Sequence, residues 1–330
     1  MQWMDRIGRR VKLRDLHVFL AVAQFGSMAK AADRLAVSQP VVSRTISELE
    51  HALGVQLFDR TFQGVEPTAY GRALITCGTA VFDDMRRGVQ EIDFLSDPTA
   101  GELRVGGTST LADGLIPEAL QRLVGRYPRI SFNAAEGDSP MLAQSLRERK
   151  IDIVVSRSWG SNYGEEFAAE FLFEESVSVI AGLTSPWSQR RRIDLEELLD
   201  QPWVLPEFDT VFGAFIGEVF RRSGVALPAI RVVSSSMALR KRLLESGRFL
   251  TMLSTSFLHF GTNSLHFKAL PVTLPVESRP IEIISLRGRT PNPIAKLFID
   301  ELHALVRPLT GHTVDAAKTT RKTISMRRFS

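Results

Sequence analysis

Cysteine is nearly absent: the 330 residues hold one, Cys77. A single thiol can neither close an internal disulfide nor build a CxxC zinc site, which excludes a disulfide-stapled secreted scaffold and a zinc finger. Long apolar runs are lacking too, and no stretch approaches the ~18 residues of a membrane-spanning helix. The bulk of the chain also lacks net charge. Residues 1–98 carry 12 basic and 12 acidic groups, and residues 99–310 carry 24 of each. The whole excess of +4 lies in residues 311–330, where Lys318, Arg321, Lys322, Arg327 and Arg328 face one acid, Asp315. Net positive charge is therefore no argument for nucleic-acid binding here; local arrangement has to carry it. Missing as well are G-x-S-x-G, H-E-x-x-H, the P-loop and G-x-G-x-x-G, and the six histidines are scattered. Those absences weigh against an enzyme, and no cofactor is expected.

What is present is ordinary globular composition, 44% hydrophobic and 24% charged, at a length that suggests two or three domains. The basic N-terminus is followed by an apolar stretch, Leu16 to Ala23, that contains His17 and precedes no small-residue cleavage site, so it reads as an amphipathic helix. A reducing cytoplasm is the expected location, with no membrane partner.

Residues 12–96 read as nearly continuous helix. Leu16, Phe19, Leu20 and Ala23 share one helical face, and Gly26 ends that helix. Ser27 can cap a short second helix holding Ala31, Ala32 and Leu35. After a tight connection at Ala36-Val37, Ser38 can cap a third helix with Pro40 in its first turn. Val42, Ile46, Leu49 and Leu53 repeat at helical spacing, and Gly54 stops it. A small hairpin fits 55–68. A long helix begins after Thr68, and its narrow apolar seam (Leu74, Val81, Phe82, Met85, Val89, Ile92, Leu95) suggests pairing with a second helix. Ser96 to Gly101 reads as a linker. From 102 onward strands (103–106, 130–135, 151–155, 176–181, 203–205, 231–234, 249–253, 265–270 and 281–286) alternate with helices (near 111–125, 138–149, 194–200, 211–223, 236–246 and 292–306), which predicts α/β layers with a largely parallel sheet and room for two lobes.

The first three helices form a helix-turn-helix pattern. Small alanines allow close helix approach, while Val42, Ile46 and Leu49 face inward. The leading outer edge of the third helix is then Ser38, Gln39, Pro40, Ser43, Arg44 and Ser47. Gln39 can pair bidentately with adenine, Arg44 can take guanine or phosphate, and the serines can donate to phosphate oxygens. Arg60 and Gln63 on the hairpin could reach the flanking backbone as a wing. The same polar residues would also suit a merely solvated helix face.

The stretch 13–71 resembles the DNA-binding part of LysR-type transcriptional regulators. The resemblance is carried by Leu16 and Phe19, Gly26-Ser27, Ala31 to Leu35, Ser38-Gln39-Pro40, Val42-Ser43-Arg44, Ile46, Leu49-Glu50, Leu53-Gly54-Val55, Leu57 to Arg60, Thr68 and Gly71. Pro67 departs from it, standing where the family usually has an apolar residue such as leucine. The resemblance implies an α/β multidomain chain. A winged helix-turn-helix covers 1–67, a linker and dimerisation helix 68–98, and a two-lobed, periplasmic-binding-protein-like (type II) effector domain 99–310. Lobe I would take about 99–164 and 271–310, and lobe II about 165–270, with 311–330 a basic, mobile tail. It further implies double-stranded DNA as partner, with contacts from Ser27, Ser38, Gln39, Pro40, Ser43, Arg44 and Arg60. Self-association through helix 68–95 into a dimer and then a tetramer, a small-molecule effector, and RNA polymerase as a further partner belong to the same expectation.

The effector candidates sit at predicted strand ends, where open α/β sheets bind ligands. Thr108 and Ser109 follow strand 103–106, with Ser109 or Thr110 as helix cap. Ser139 follows strand 130–135 and can also cap. Phe208 follows strand 203–205 as a wall; Arg157 and Ser254 close two further strands. A transport-type solute-binding protein and a purely architectural DNA protein are the rivals. The helix-turn-helix weighs against the first and the α/β region against the second. Cys77, on the long helix, reads as a packing residue before a redox switch.

Overall fold

The computed structural model describes residues 11–61, 64–159 and 163–326, without the side chains of Arg60 and Thr61 and those from Thr310 onward. It separates into two units, to Val89 and from Gln90.

In the first unit, α1 (Leu13–Phe25), α2 (Met28–Leu35) and α3 (Gln39–Leu53) precede a hairpin of β1 (Phe58–Thr61) and β2 (Gly64–Pro67) and the start of α4 (Ala69–Ser96). Gly26 and Gly54 end α1 and α3 in left-handed conformation, as their positions predict. Ala36 takes the same conformation in the turn between α2 and α3 (φ 54°), and its N–H closes on the Ala32 and Asp33 carbonyls. Phe19, Val22, Ala31, Val42, Ile46 and Leu49 are buried together with Leu57 and Phe58. Each large one contributes roughly 1.5–3 kcal/mol. The Glu50 carboxylate accepts from Leu57 N (2.7 Å) and Phe58 N (3.3 Å), which ties the hairpin to α3. Thr68 caps α4 through Gly71 N at 3.0 Å. Pro67 pairs with Phe58 at the end of β2, where a missing N–H does no harm.

The second unit holds two five-stranded sheets. Sheet I has the order β4-β3-β5-β12-β6, with β3 Ala100–Gly107, β4 Arg129–Glu136, β5 Ile153–Arg157, β6 Phe167–Glu175 and β12 Arg279–Leu286. Sheet II has the order β11-β7-β10-β8-β9, with β7 Val177–Gly182, β8 Trp203–Leu205, β9 Arg231–Val233, β10 Leu250–Ser254 and β11 Phe267–Ala269. Helices α5 (Ser109–Asp113), α6 (Leu115–Arg126), α7 (Ser139–Arg147) and α11 (Pro293–Met326) belong to lobe I. Helices α8 (Val211–Arg222), α9 (Met237–Glu245) and α10 (Ser256–His259) follow in the lobe II part of the chain.

Four expectations need correction. The sheets are mixed, because β12 runs antiparallel to both β5 and β6, and β7 antiparallel to β10 and β11. The chain crosses between lobes twice, and a strand entered from the far lobe runs the other way. The lobe boundary lies after Glu175 instead of 164, because β6 pairs along its length with β12 in lobe I. The predicted helix over 111–125 is broken at Gly114, where a Cβ would meet Phe260 Cβ at 3.0 Å. Finally, an irregular tail was expected from 311, whereas the backbone of α11 stays helical to Met326.

Two cores fill the lobes. Leu103, Val105, Leu115, Phe173, Phe298 and Leu302 belong to one, and Val179, Trp203, Ile216, Phe220 and Met252 to the other. Phe260, just past α10, packs into the lobe I core. Lys241 on α9 meets Asp113 on α5 at 3.0 Å, and Asn263 donates to the same carboxylate at 2.8 Å. The lobes therefore touch through both an apolar plug and a polar latch. Among the described residues no helix is long and apolar enough to cross a membrane.

Candidate functional sites: the recognition helix and the interlobe cavity

Helix α3 presents the leading edge that its sequence pattern requires. Val42, Ile46 and Leu49 are buried, while Ser38, Gln39, Pro40 and Arg44 are exposed and Ser43 is half-buried. Ser38 holds the N-cap position by its carbonyl, which accepts from Val41 N (3.0 Å) and Val42 N (3.3 Å). Its hydroxyl makes no cap hydrogen bond, contrary to expectation. Ser27 caps α2 as expected, accepting from Lys30 N at 3.4 Å. The Arg44 side chain is 82% exposed and pairs with Glu48 at 2.7 Å. Glu48's hydrogen bond and charge raise its pKa further above an already high value. The guanidinium is thus aligned along the helix and fully charged. Arg60 lies on β1 with its side chain outside the described residues, and Gln63 lies outside them altogether.

Along α4, Leu74, Val81 and Phe82 pack into the first unit's core. Met85, Val89, Ile92 and Leu95 are exposed by 48%, 55%, 64% and 78%. The predicted seam therefore divides into an inner half that closes the winged domain and an outer half left uncovered in the single chain. Asp83, buried on the same helix, holds Arg86 at 2.8 Å and Arg87 at 3.6 Å. Cys77 is exposed, not packed.

In the second unit a cavity of about 710 Å³ opens at the carboxyl ends of the lobe I and lobe II strands. Thr108, Ser109, Ser139 and Ser254 line it, as expected from their strand-end positions. The expected caps differ. Thr108 occupies the N-cap of α5 without a side-chain bond, and Asp138, not Ser139, caps α7 by accepting from Met141 N at 2.9 Å. Phe208 does not line the cavity; it packs with the lobe II core, against Gly217. Phe212 and Phe215, on α8, form the aromatic wall instead. Sequence periodicity placed both in a helix, and their i, i+3 spacing just after a strand-end turn was the available signal.

Three charged groups of the cavity cluster where the chain crosses between lobes. Arg157 ends β5, Glu175 ends β6 and Arg279 opens β12. Arg157 Nη2 donates to Glu175 Oε2 at 3.0 Å and to Ser254 Oγ at 2.8 Å, so one side chain bridges the lobes. Its guanidinium lies 5.5 Å from the Phe212 ring centre and 5.3 Å from that of Phe215. Arg279 lies over Phe215 at 4.6 Å. Burial pushes the Arg157 pKa down; the Glu175 charge opposes this, and the charge of Arg279 adds to it. Arg240, also buried, is pushed down by burial to about 10 and donates its Nε to the Ser234 carbonyl at 2.9 Å. Arg279 and Arg240 were not singled out in the sequence, because nothing local marks an arginine before a strand or inside a helix as part of a site. Among the described residues no group of three or more His, Cys, Asp or Glu could hold a metal ion.

These features define a class: a winged helix-turn-helix domain joined by a long helix to a two-lobed α/β domain with a ligand-sized cavity between its lobes. Comparison with known proteins places the chain further. Residues 13–72 match the model of the bacterial regulatory helix-turn-helix protein, lysR family, and residues 96–307 match the LysR substrate binding domain. The chain belongs to the LysR family of transcriptional regulators, DNA-binding proteins with an effector-binding substrate domain and no enzymatic role. It is 26% identical over 309 residues to the HTH-type transcriptional regulator PcaQ of Agrobacterium fabrum (strain C58 / ATCC 33970), covering 94% of this chain and 98% of that one. A full-length OxyR variant from Pseudomonas aeruginosa has the same fold, with a TM-score of 0.63 at 24% identity over 90% of this chain and 97% of that one. Full-length CbnR, solved in complex with its target DNA, gives 0.60 at 21% identity over 89% and 100%.

Proposed function

We propose that α3 enters the major groove of a roughly two-fold-symmetric site, with Gln39 and Arg44 toward base edges and Ser27, Ser38, Pro40, Ser43 and Arg60 positioning it on the backbone. The observation that carries this is the division of α3 into a buried apolar side and an exposed, hydroxyl- and amide-rich leading edge. The uncovered outer half of the α4 seam supports dimerisation through that helix, which would supply two recognition helices. Further association into a tetramer, contact with RNA polymerase and a cytoplasmic location extend the same reading.

The interlobe cavity, on this proposal, takes a small organic effector against Thr108, Ser109, Ser139 and Ser254. Because Arg157 and the Lys241–Asp113 latch bridge the lobes, a ligand there has different contacts in open and closed states. That difference is what a coupling to DNA affinity requires.

The test uses the full chain. Mobility-shift assays on promoter fragments, including that of its own operon, are expected to show retention that falls steeply with salt. The double change Gln39→Ala with Arg44→Ala should remove the preference for one fragment over another. For the cavity, a metabolite panel is screened by melting temperature, and Thr108→Val with Ser139→Ala should erase the shift. A shift untouched by those changes would place the ligand elsewhere.

A further inference from the structure

A second cavity, of about 120 Å³, lies at the β6 edge of sheet I. Its walls are Trp159 and Tyr163, which follow β5, Phe167 and Ala169 from β6, and Glu282 and Ile284 from β12. Strand pairing brings them together. Glu282 and Ile284 alternate onto one face of β12, and Ile284 stands opposite Ala169 on β6. The same face carries the small core beneath α7, to which Trp159, Phe167 and Ile284 belong. Trp159 is held in place. Its indole Nε1 donates to Ser156 Oγ at 3.1 Å, and its ring lies 5.0 Å from that of Tyr163 and 5.3 Å from that of Phe167. An aromatic wall fixed in this way costs little further ordering when a ligand arrives.

Glu282 is the one residue lining this cavity that is charged at neutral pH. It is half-buried, and its carboxylate has no hydrogen-bond or ion-pair partner among the described residues. Across the sheet it faces Ser156 on β5 and Phe171 on β6, neither of them a cation. The cations nearest in the fold are engaged elsewhere. Arg147, on α7, pairs with Glu166 at 2.8 Å and donates to the Tyr163 carbonyl at 2.7 Å. Arg287, just past β12, donates to the carbonyls of Glu165 and Phe167 at 2.8 and 3.1 Å. The aromatic cluster already accepts one cation, since the Arg147 guanidinium lies 5.2 Å from the Phe167 ring centre. A carboxylate drawn partly out of water beside aromatic rings attracts a counter-ion. The rings favour one whose charge is spread over carbon-bound hydrogens, whereas a metal ion would need several oxygen ligands where the cavity offers one carboxylate.

We propose that this cavity binds a small organic cation, a methylated or alkyl-substituted ammonium group, with its charge against the Glu282 carboxylate and its carbon atoms against Trp159 and Tyr163. The two cavities share no lining residue, so the proposal stands apart from the reading of the interlobe cavity as an effector site. A neutral molecule of the same outline keeps the apolar contact but loses both the ion pair and the attraction of the ring faces.

The experiment titrates the full-length protein with tetramethylammonium chloride and choline chloride, followed by broadening of the ligand methyl signals in NMR and by tryptophan fluorescence. The controls are 3,3-dimethyl-1-butanol, the uncharged carbon analogue of choline, and sodium chloride. At least one of the two cations is expected to bind saturably and at least tenfold more tightly than the alcohol, with sodium chloride reproducing neither signal. Glu282→Gln should weaken cation binding at least tenfold and leave the alcohol within twofold. Tyr163→Leu keeps the carboxylate but removes a ring, and should weaken the cations more than the alcohol; it carries the test if Glu282→Gln fails to fold. No saturable binding of either cation, equal affinity for choline and its alcohol analogue, or cation binding that both substitutions leave unchanged overturns the proposal. Glu136→Gln, in the interlobe cavity, should change nothing. Loss of binding in that variant, with Glu282→Gln silent, would move the cation to the interlobe cavity and overturn the proposal equally.

Discussion

Asp152 offers a sharp test of how lobe I is held together. It is 6% exposed and sits between two arginines. Arg104 reaches it through Nη2 (2.6 Å), Nε (3.2 Å) and its backbone N (3.0 Å), and Arg289 through Nη2 at 2.6 Å. Arg289, itself buried, also donates Nη1 to the carbonyls of Ile151 and Asp152 at 3.2 and 3.3 Å. Asp152→Asn keeps the shape but removes the charge between two guanidinium groups and turns an NH2 toward their donors. Breaking a buried ion pair from one side costs about 3–5 kcal/mol. For a domain of this size each kcal/mol lowers the melting temperature by about 2–4 °C, so a fall of roughly 6–20 °C is expected at pH 7. Burial alone would raise the Asp152 carboxyl, but the Arg104 hydrogen bonds and charge, with the charge of Arg289, hold it below the usual carboxylate range. A depressed folded-state pKa means the contribution is complete above the unfolded value, near 3.9. It is lost as pH falls through the folded one. The gap between wild type and Asp152→Asn should therefore stay constant from pH 7 to about 5 and narrow only in stronger acid. A variant within about 1 kcal/mol of wild type by urea unfolding at pH 7 would refute the reasoning, as would a gap that already closes near pH 6.

Three further outcomes follow from the same structure. Gln39→Ala should cost on the order of 1–3 kcal/mol of discrimination at one base pair, measured by competition between operator variants; uniform weakening on every sequence would mean the amide touches only backbone. Met85→Glu with Ile92→Glu, on the exposed half of the α4 seam, should abolish dimers in sedimentation and DNA retention together, and a persistent dimer would put the interface elsewhere. Gly213→Ala would drive a Cβ into the Glu207 carbonyl oxygen, against backbone that cannot easily yield. It should cost about 1–3 kcal/mol and weaken ligand binding by displacing Phe212 and Phe215; an unchanged melting temperature would show that the turn gives way freely.

The helix-turn-helix was legible almost residue by residue, because its signals are local. Gly26 and Gly54 end helices, Ser27 caps one, and Val42, Ile46 and Leu49 repeat on one face. Most strands of the α/β region were placed to within two residues, since apolar runs between turn signals are local as well. What escaped was non-local. Strand β6, FAAEFLFEE, neither alternates cleanly nor forms an apolar run, because it lies at the edge of its sheet with one neighbour and two exposed glutamates, Glu170 and Glu174. Missing it misplaced the lobe boundary. The cavity's charged floor escaped for the same reason. Arg157 and Arg279 are 122 positions apart in the chain, and only the pairing of β5 with β12 brings their strands together. Phe208 was a reasonable wall by position, but the turn after β8 directs it into the lobe II core, and the next helix supplies the aromatic surface.

The sheet order of lobe I has a consequence for how the protein is made. Strand β12 lies between β5 and β6, so β6 has no partner on its inner edge until a segment more than a hundred positions later leaves the ribosome. At ~5–20 residues per second, that is a delay on the order of 5–20 s. Lobe II, whose strands all fall between the two crossings, can close first. During translation the nascent chain therefore carries a finished lobe II beside a lobe I that still waits for β12, and a message truncated before Arg279 would yield a chain whose lobe I lacks the strand that joins β5 to β6.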